Sequence, residues 1–294
     1  MHPMLQELNA GRILLCDGAM GTQLHRRGLP LGMCPESWNL THPEDVQGVS
    51  AAYIEAGSDI VETNTLGGTR LRLAHYGLAD QVAEINHRSA RLARLAAGAN
   101  HYVFGSVGPT GAFMKPYGSR TEAEIIGTFA EQMKALIEGG VDAFCIETQI
   151  SLNEAVAAVK AAKDNADLPV VVTVTFNKTV KGEFRTIMGE SPEQMVERIT
   201  AIGADVLGSN CGQGSEPMLE LCSNLRSLTD LPLMFQPNAG LPSMENGHTV
   251  FKATPQEMAD ISVRFRVAGA NIIGGCCGTT PAHIKAMCKS LGML

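Results

Sequence analysis

A short apolar run that stops in a polar or glycine-rich turn, followed by a stretch with helical periodicity, recurs along the whole chain and leaves few folds open to it. Eight runs of strand type are readable: Arg12 to Cys16, Asp59 to Thr65, Tyr102 to Val107, Ala143 to Ile146, Val170 to Phe176, Asp205 to Ser209, Leu233 to Gln236 and Asn271 to Ile273. Helix-type segments fall between them at Pro43 to Ala56, Arg70 to Ala97, Glu122 to Glu138, Pro192 to Ile202, Pro217 to Leu228 and Pro255 to Val267, and Thr280-Pro281 opens a last one. Gly140-Val141-Asp142 and Gly203-Ala204-Asp205 each end a helix on glycine and turn the chain back into an apolar run. This alternation predicts an α/β protein, a single-domain (β/α)8 TIM barrel over residues 1–294.

In a barrel of this kind the loops that follow the strands converge at one face, and reactive side chains collect there. The polar strand ends are Asp17, Glu62 to Thr65, Glu147, Asn210 to Cys211, Asn238 and Cys276 to Cys277. Long loops on the same side, His25 to Trp38, Thr110 to Arg120 and Asn238 to Phe251, would shield a site or dock a partner.

Ala270 to Pro281 reads Ala-Asn-Ile-Ile-Gly-Gly-Cys-Cys-Gly-Thr-Thr-Pro, a strand feeding a loop in which glycines uncover two adjacent thiols. A lone cysteine is as readily a small buried hydrophobe. Cys211, however, also ends an apolar run and is also followed by glycine. Three thiols at two strand ends suit zinc, and three protein ligands with one exchangeable position make a catalytic site, not a structural one. Cys16, Cys34, Cys145, Cys222 and Cys288 lack the glycine-loop context and are read as packing residues. His25, His42, His75 and His248 stand at no metal-ligand spacing and are read as surface residues.

The net charge of −7 and the absence of a basic cluster argue against nucleic acid and against an anionic membrane surface. No apolar stretch is long enough to span a bilayer, and the first residues lack an export signal, so a cytoplasmic protein is expected. Eight cysteines in that compartment stay reduced, which favours metal ligation over disulfides.

Taken in order, Asp17-Gly18-Ala19-Met20-Gly21-Thr22, Glu62-Thr63-Asn64-Thr65, Gly105 to Pro109, Glu147-Thr148, Asn210-Cys211, Pro237 to Pro242 and Gly274 to Pro281 resemble the homocysteine S-methyltransferase family. They are most similar to the homocysteine-binding module of cobalamin-dependent methionine synthase, over nearly the whole chain. The resemblance implies that Cys211, Cys276 and Cys277 hold zinc, that the homocysteine sulfur takes the fourth position, and that Asn238 is a displaceable fourth ligand. It also implies that backbone N–H groups of Gly18, Ala19 and Met20 cradle the substrate carboxylate while Asp17 and Glu147 accept from its ammonium. Asn64 and Asn210 are expected to give supporting hydrogen bonds.

The expected reaction is zinc-dependent methylation of homocysteine to methionine. The motif spelling resembles the cobalamin-dependent branch, with methylcobalamin carried on a separate corrinoid protein or domain. Leu66-Gly67-Gly68 stands where betaine-dependent relatives place a tyrosine, which counts against that donor. S-methylmethionine or another small donor is the alternative, as is a zinc-stabilised module that docks a corrinoid protein without turnover of its own. A donor as large as a corrinoid requires an open barrel mouth.

Overall fold

Val170–Val174 shows how these short strands are built: Val171 belongs to one buried cluster, while Val170, Val172 and Val174 belong to another. The first cluster, with Leu14, Cys16, Ile60, Phe104, Ala143, Cys145, Val206, Met234 and Ile272, fills the inside of the barrel. The second lies between the strands and the surrounding helices. Strands covered on both sides are apolar at consecutive positions, which is why they read as runs instead of alternating.

The computed structural model describes residues 1–293 apart from 213, 246 and 247, and the side chain of His248 also lies outside the described residues. Eight parallel strands make the main sheet: β1 (Leu14–Leu15), β2 (Ile60–Glu62), β3 (Tyr102–Val107), β4 (Ala143–Gln149), β5 (Val170–Val174), β6 (Val206–Cys211), β7 (Leu233–Pro237) and β8 (Ile272–Ile273). β8 pairs with β1, and a parallel bridge from Cys16 to Ile60 brings β1 against β2, so the sheet closes as the sequence predicts. The surrounding helices are α1 (Pro43–Glu55), α2 (Val82–Ala97), α3 (Glu122–Gly139), α4 (Leu152–Asn165), α5 (Pro192–Thr200), α6 (Ser215–Leu228), α7 (Pro255–Val267) and α8 (Pro281–Ser290). α4 fills an interval for which the sequence reading names no helix; its buried face is mostly alanine, which gives weak hydrophobic contrast.

Two local devices set the register. Thr121, Ser191, Thr254 and Thr280 each accept a hydrogen bond from the backbone three residues on, and the side chain at that position reaches back, so α3, α5, α7 and α8 start at defined residues. At the other end of the barrel, a polar residue just before every second strand reaches across to the strand before it. Asp59 accepts from Leu15 N, Asp142 from Val103 N, Asp205 from Val170 N and Asn271 from Leu233 N, at 2.7–3.0 Å. Each of the four follows a glycine by two residues, and each glycine has a positive φ that ends the preceding helix.

A further helix, Pro3–Asn9, buries Met4 and Leu8 against the lower strand residues of the barrel interior and so closes that end. The periodic segment predicted from Arg70 to Ala97 is broken: Arg70–Ala74 is a short helix, and α2 starts only after a turn at Gly77 and a 3-10 turn at Ala79–Gln81. Two hairpins decorate the mouth, Asn177–Lys178 with Phe184–Arg185 and Pro242–Glu245 with His248–Phe251; the second lies in a stretch read from sequence as a loop, and the first in one given no assignment. The five cysteines assigned to packing are buried, and His25, His42 and His75 are exposed. Among the described residues no helix is long and apolar enough to cross a membrane.

Candidate metal and thiol-binding site

Inward positions recur every second residue, and toward the mouth they change from apolar to polar. Ile60 is followed by Glu62, Phe104 by Ser106, Cys145 by Glu147, Val206 by Gly208 and Asn210, Met234 by Gln236 and Asn238, and Ile272 by Gly274 and Cys276. The site is thus the upper storey of the barrel core.

Cys211, Cys276 and Cys277 place their sulfurs within 4.8 Å of one another, with 4.0 Å between those of Cys276 and Cys277. All three remain partly exposed. Cys211 has a φ of 63°, uncommon for a residue with a side chain, at the point where β6 gives way to glycine. The loop after β8 is fastened to its neighbours by backbone bonds, Gly275 N to Asp17 O, Cys276 N to Pro237 O and Ala239 N to Cys277 O, each 2.9 Å long. Thr279 adds a side-chain tie: its hydroxyl donates to Cys276 O over 2.7 Å and accepts from Ala19 N over 3.0 Å. Glycine is required at 275, because a Cβ there would stand 2.5–2.8 Å from the Thr279 side chain.

The three thiols share their protons unequally. Cys211 is pushed far down because Cys276 and Cys277 donate to its sulfur, whereas Cys276 is pushed up by that same sharing and by burial. A trio that already stabilises a thiolate suits a thiophilic cation. Asn238 sits beside it, with Nδ2 3.8 Å from Cys211 Sγ, while its Oδ1 is buried with no hydrogen-bond partner among the described residues. A buried carbonyl oxygen without a partner, on a side chain that reaches the cysteine cluster, has acceptor capacity to spare.

Cys276 and Cys277 form one wall of a cavity of about 200 Å³. Gly18, Ala19, Met20 and Glu147, the residues expected to touch substrate, also line it, but Asp17 does not. Asp17 is 1% exposed beneath the cavity, with its carboxylate accepting from Glu62 N over 2.9 Å. Ala19 N–H is taken by Thr279, which leaves Gly18 and Met20 as the less encumbered donors of that turn. Glu62, Ser106 and Gln236 also line the cavity and have no assigned role in the sequence reading. Their inward parity with Ile60, Phe104 and Met234 is the signal that finds them.

Asn210 and Asn64 do give supporting bonds. Asn210 accepts from Thr148 N and Thr173 Oγ1, both at 2.8 Å, and donates to Glu147 Oε2 and Thr148 Oγ1. Asn64 donates to Pro35 O and Asn39 Oδ1. Burial first, and the charges of neighbouring acids with it, push the Asp17 and Glu147 carboxyls up to about 8 and Glu62 up to about 7. A cation entering the cavity would meet the Glu62 and Glu147 carboxyls, with Asp17 beneath them.

A family model described as homocysteine S-methyltransferase matches residues 14–291. Methionine synthase of Mycobacterium tuberculosis is 32% identical over 98% of this chain, and the chain spans 25% of that protein's length. Methionine synthase of Mycobacterium leprae gives the same figures. Among solved structures, the metallated form of the homocysteine methyltransferase MmuM from Escherichia coli superposes with a TM-score of 0.82 at 27% identity, covering 97% of this chain and 99% of that one. Fold, site and sequence agree, and the chain belongs to the homocysteine S-methyltransferase family.

Proposed function

We propose that this chain binds zinc through Cys211, Cys276 and Cys277 and methylates homocysteine to methionine, with methylcobalamin on a separate protein or domain as the donor. The observation that carries the reading is the position of the three sulfurs, mutually within 4.8 Å, with Cys276 and Cys277 at the wall of a cavity sized for a small amino acid. Asn238 Oδ1 is the displaceable fourth ligand, consistent with its lack of another partner. Bound zinc would strip the proton from an incoming thiol and hold the sulfur nucleophilic at neutral pH, where a free thiol with a pKa of about 8.5 is mostly protonated.

The chain's own residues bind and orient. Gly18 and Met20 N–H groups meet the substrate carboxylate at the start of the helix Met20–Arg26, whose first N–H groups have no intrahelical acceptor. Glu147 is held by Ser106, Asn210 and Thr148 on the wall that faces the amino end. Their combined effect is to point the thiol at the cysteines and to fix its direction of approach to a methyl group arriving from the mouth. The partial exposure of all three cysteines leaves that approach open, which favours a large donor delivered from outside.

Homocysteine titrated by calorimetry into zinc-loaded and metal-stripped protein, in two buffers of different ionisation enthalpy, tests the proposal. Zinc-dependent binding with release of close to one proton supports it. Zinc-independent binding, or none, removes it. Turnover of the zinc-loaded chain with methylcobalamin, and not with S-methylmethionine, would then fix the donor.

A further inference from the structure

The turn that carries Asn238 is joined to the cysteine loop twice, once directly and once the long way round. Ala239 N donates to Cys277 O at 2.9 Å, and Ala239 O accepts from Ala253 N at 3.0 Å. Ala253 lies between the mouth hairpin Pro242–Phe251 and α7. Its carbonyl accepts from His283 Nε2 at 2.9 Å, while His283 Nδ1 takes the Thr280 N–H at 3.2 Å and meets the Thr280 hydroxyl at 2.8 Å. Thr280 stands three residues beyond Cys277, so these bonds close a ring: cysteine loop, Asn238 turn, foot of the hairpin, His283, cysteine loop. Phe251 packs across it, since a Cβ on Gly278 would collide with the Phe251 side chain.

Only one form of the imidazole completes this ring. A backbone N–H can only donate and a carbonyl can only accept, so Nδ1 must be bare and Nε2 must carry the proton. Residue 283 is also the third position of α8, where a capping box ordinarily carries Glu or Gln. A glutamate would restore the Thr280 bond, but its carboxylate has no proton for Ala253. Histidine therefore does something here that helix capping does not require, and at 7% exposure it leaves little room for water to do it instead.

We infer that His283 is a positioning residue for the methyl transfer: it holds the Asn238 turn against the cysteine loop and so sets how firmly the fourth metal position is occupied before the thiol arrives. The inference rests on the zinc reading above and deepens it. A resident ligand held loosely retains zinc poorly, and one held rigidly resists the incoming thiol.

A double-mutant cycle on zinc affinity, measured by chelator competition on the whole chain, tests this. His283→Glu keeps the cap, breaks the Ala253 bond and should weaken zinc by about tenfold or more, the usual effect of losing a group that orients a metal ligand. Asn238→Ala should weaken zinc comparably, and adding His283→Glu to it should cost less than about twofold more, because the ring acts through Asn238. His283→Gln, which offers both an acceptor and a donor, should recover most of the affinity. Homocysteine should bind zinc-loaded His283→Glu at least as tightly as wild type, since less of the resident ligand has to be displaced; general loosening of the site would weaken thiol and zinc alike. Should His283→Glu fail to fold, His283→Met, of similar bulk and without either bond, takes its place in the cycle with the same expectation. Additive losses in the cycle, unchanged zinc affinity in the His283 variant, or parallel loss of thiol and zinc overturns the inference. A wild-type chain that binds no zinc sinks the zinc reading itself, whereas normal zinc binding with an additive cycle sinks only the role of His283.

Discussion

Asn210 Nδ2 lies 3.0 Å from Glu147 Oε2, so the residue that immediately precedes Cys211 is tied to an acid on the far side of β5. The Oδ1 of the same Asn210 amide accepts from Thr148 N, the backbone of a residue whose φ of 57° is uncommon for a β-branched side chain. One amide thereby holds two strained strand ends, those of β4 and β6, in the positions that the site requires.

Asn210→Leu should therefore destabilise the fold by about 2–3 kcal/mol, because it strands Thr148 N and Thr173 Oγ1 without partners and takes one of two donors from Glu147 Oε2. Urea denaturation checks the stability. Zinc affinity should fall in the same variant through displacement of Cys211, and a variant with unchanged affinity would show that the ties do not hold the ligand.

Cys211→Ser, Cys276→Ser and Cys277→Ser should each reduce bound zinc well below one ion per chain, since serine is a poor ligand for a cation that prefers thiolate. Elemental analysis after dialysis reads this directly. Cys222→Ser, far from the cluster and buried among α6 and its neighbours, should leave stoichiometry unchanged. Loss of zinc there, or retention in any of the first three, contradicts the ligand set.

Protonation of Asp17 makes a pH-dependent contribution whose sign can be worked out. Its carboxyl titrates near about 8 when folded and near about 3.9 in an unfolded chain, so between those values the folded state holds a proton that the unfolded state has released. Stability from this group is full below the lower value and is lost as pH rises through the upper one. Cys211, with its lowered pKa, works in the opposite direction, so the comparison must be with Asp17→Asn, which is neutral throughout. Wild type should lose stability relative to that variant as pH rises from about 4 to about 8. A urea-midpoint difference that is flat across this range in metal-free protein would refute the shift.

Gly208 faces the barrel interior between Val206 and Asn210, and a Cβ built there would stand 1.8 Å from the Met234 carbonyl oxygen. Backbone cannot yield as a side-chain tip can. Gly208→Ala should part β6 from β7 and cost about 3 kcal/mol or more, at the upper end of overpacking effects. Thermal denaturation measures it, and a neutral substitution would mean that the two strands separate more easily than their hydrogen bonds suggest.

Much of this arrangement was legible in the sequence because period and punctuation coincide. The eight strands, the convergence of polar strand ends and the cysteine trio all follow from apolar runs that stop at glycine or a polar residue. The helix α4 escaped because alanine blurs its hydrophobic face, and the mouth hairpins escaped because their strands are mostly exposed and carry little burial pattern. The resemblance gave Asp17 a substrate contact and left Glu62 without a role. Both are acids at strand ends, and only lone-pair accounting in three dimensions shows which one is spent on the backbone and which faces the cavity.

The packed lower storey of the barrel, sealed below by Met4 and Leu8 of the helix Pro3–Asn9, makes the site a cup and not a tube. Whatever enters must leave by the same doorway. For a methyl transfer of the proposed kind, this imposes an order of traffic: the amino-acid thiol must be seated before a bulky donor covers the rim, and the thioether can depart only after that donor has withdrawn. A random order of addition is closed to a vessel with one opening, and undocking of the donor becomes a candidate for the slowest event in the cycle.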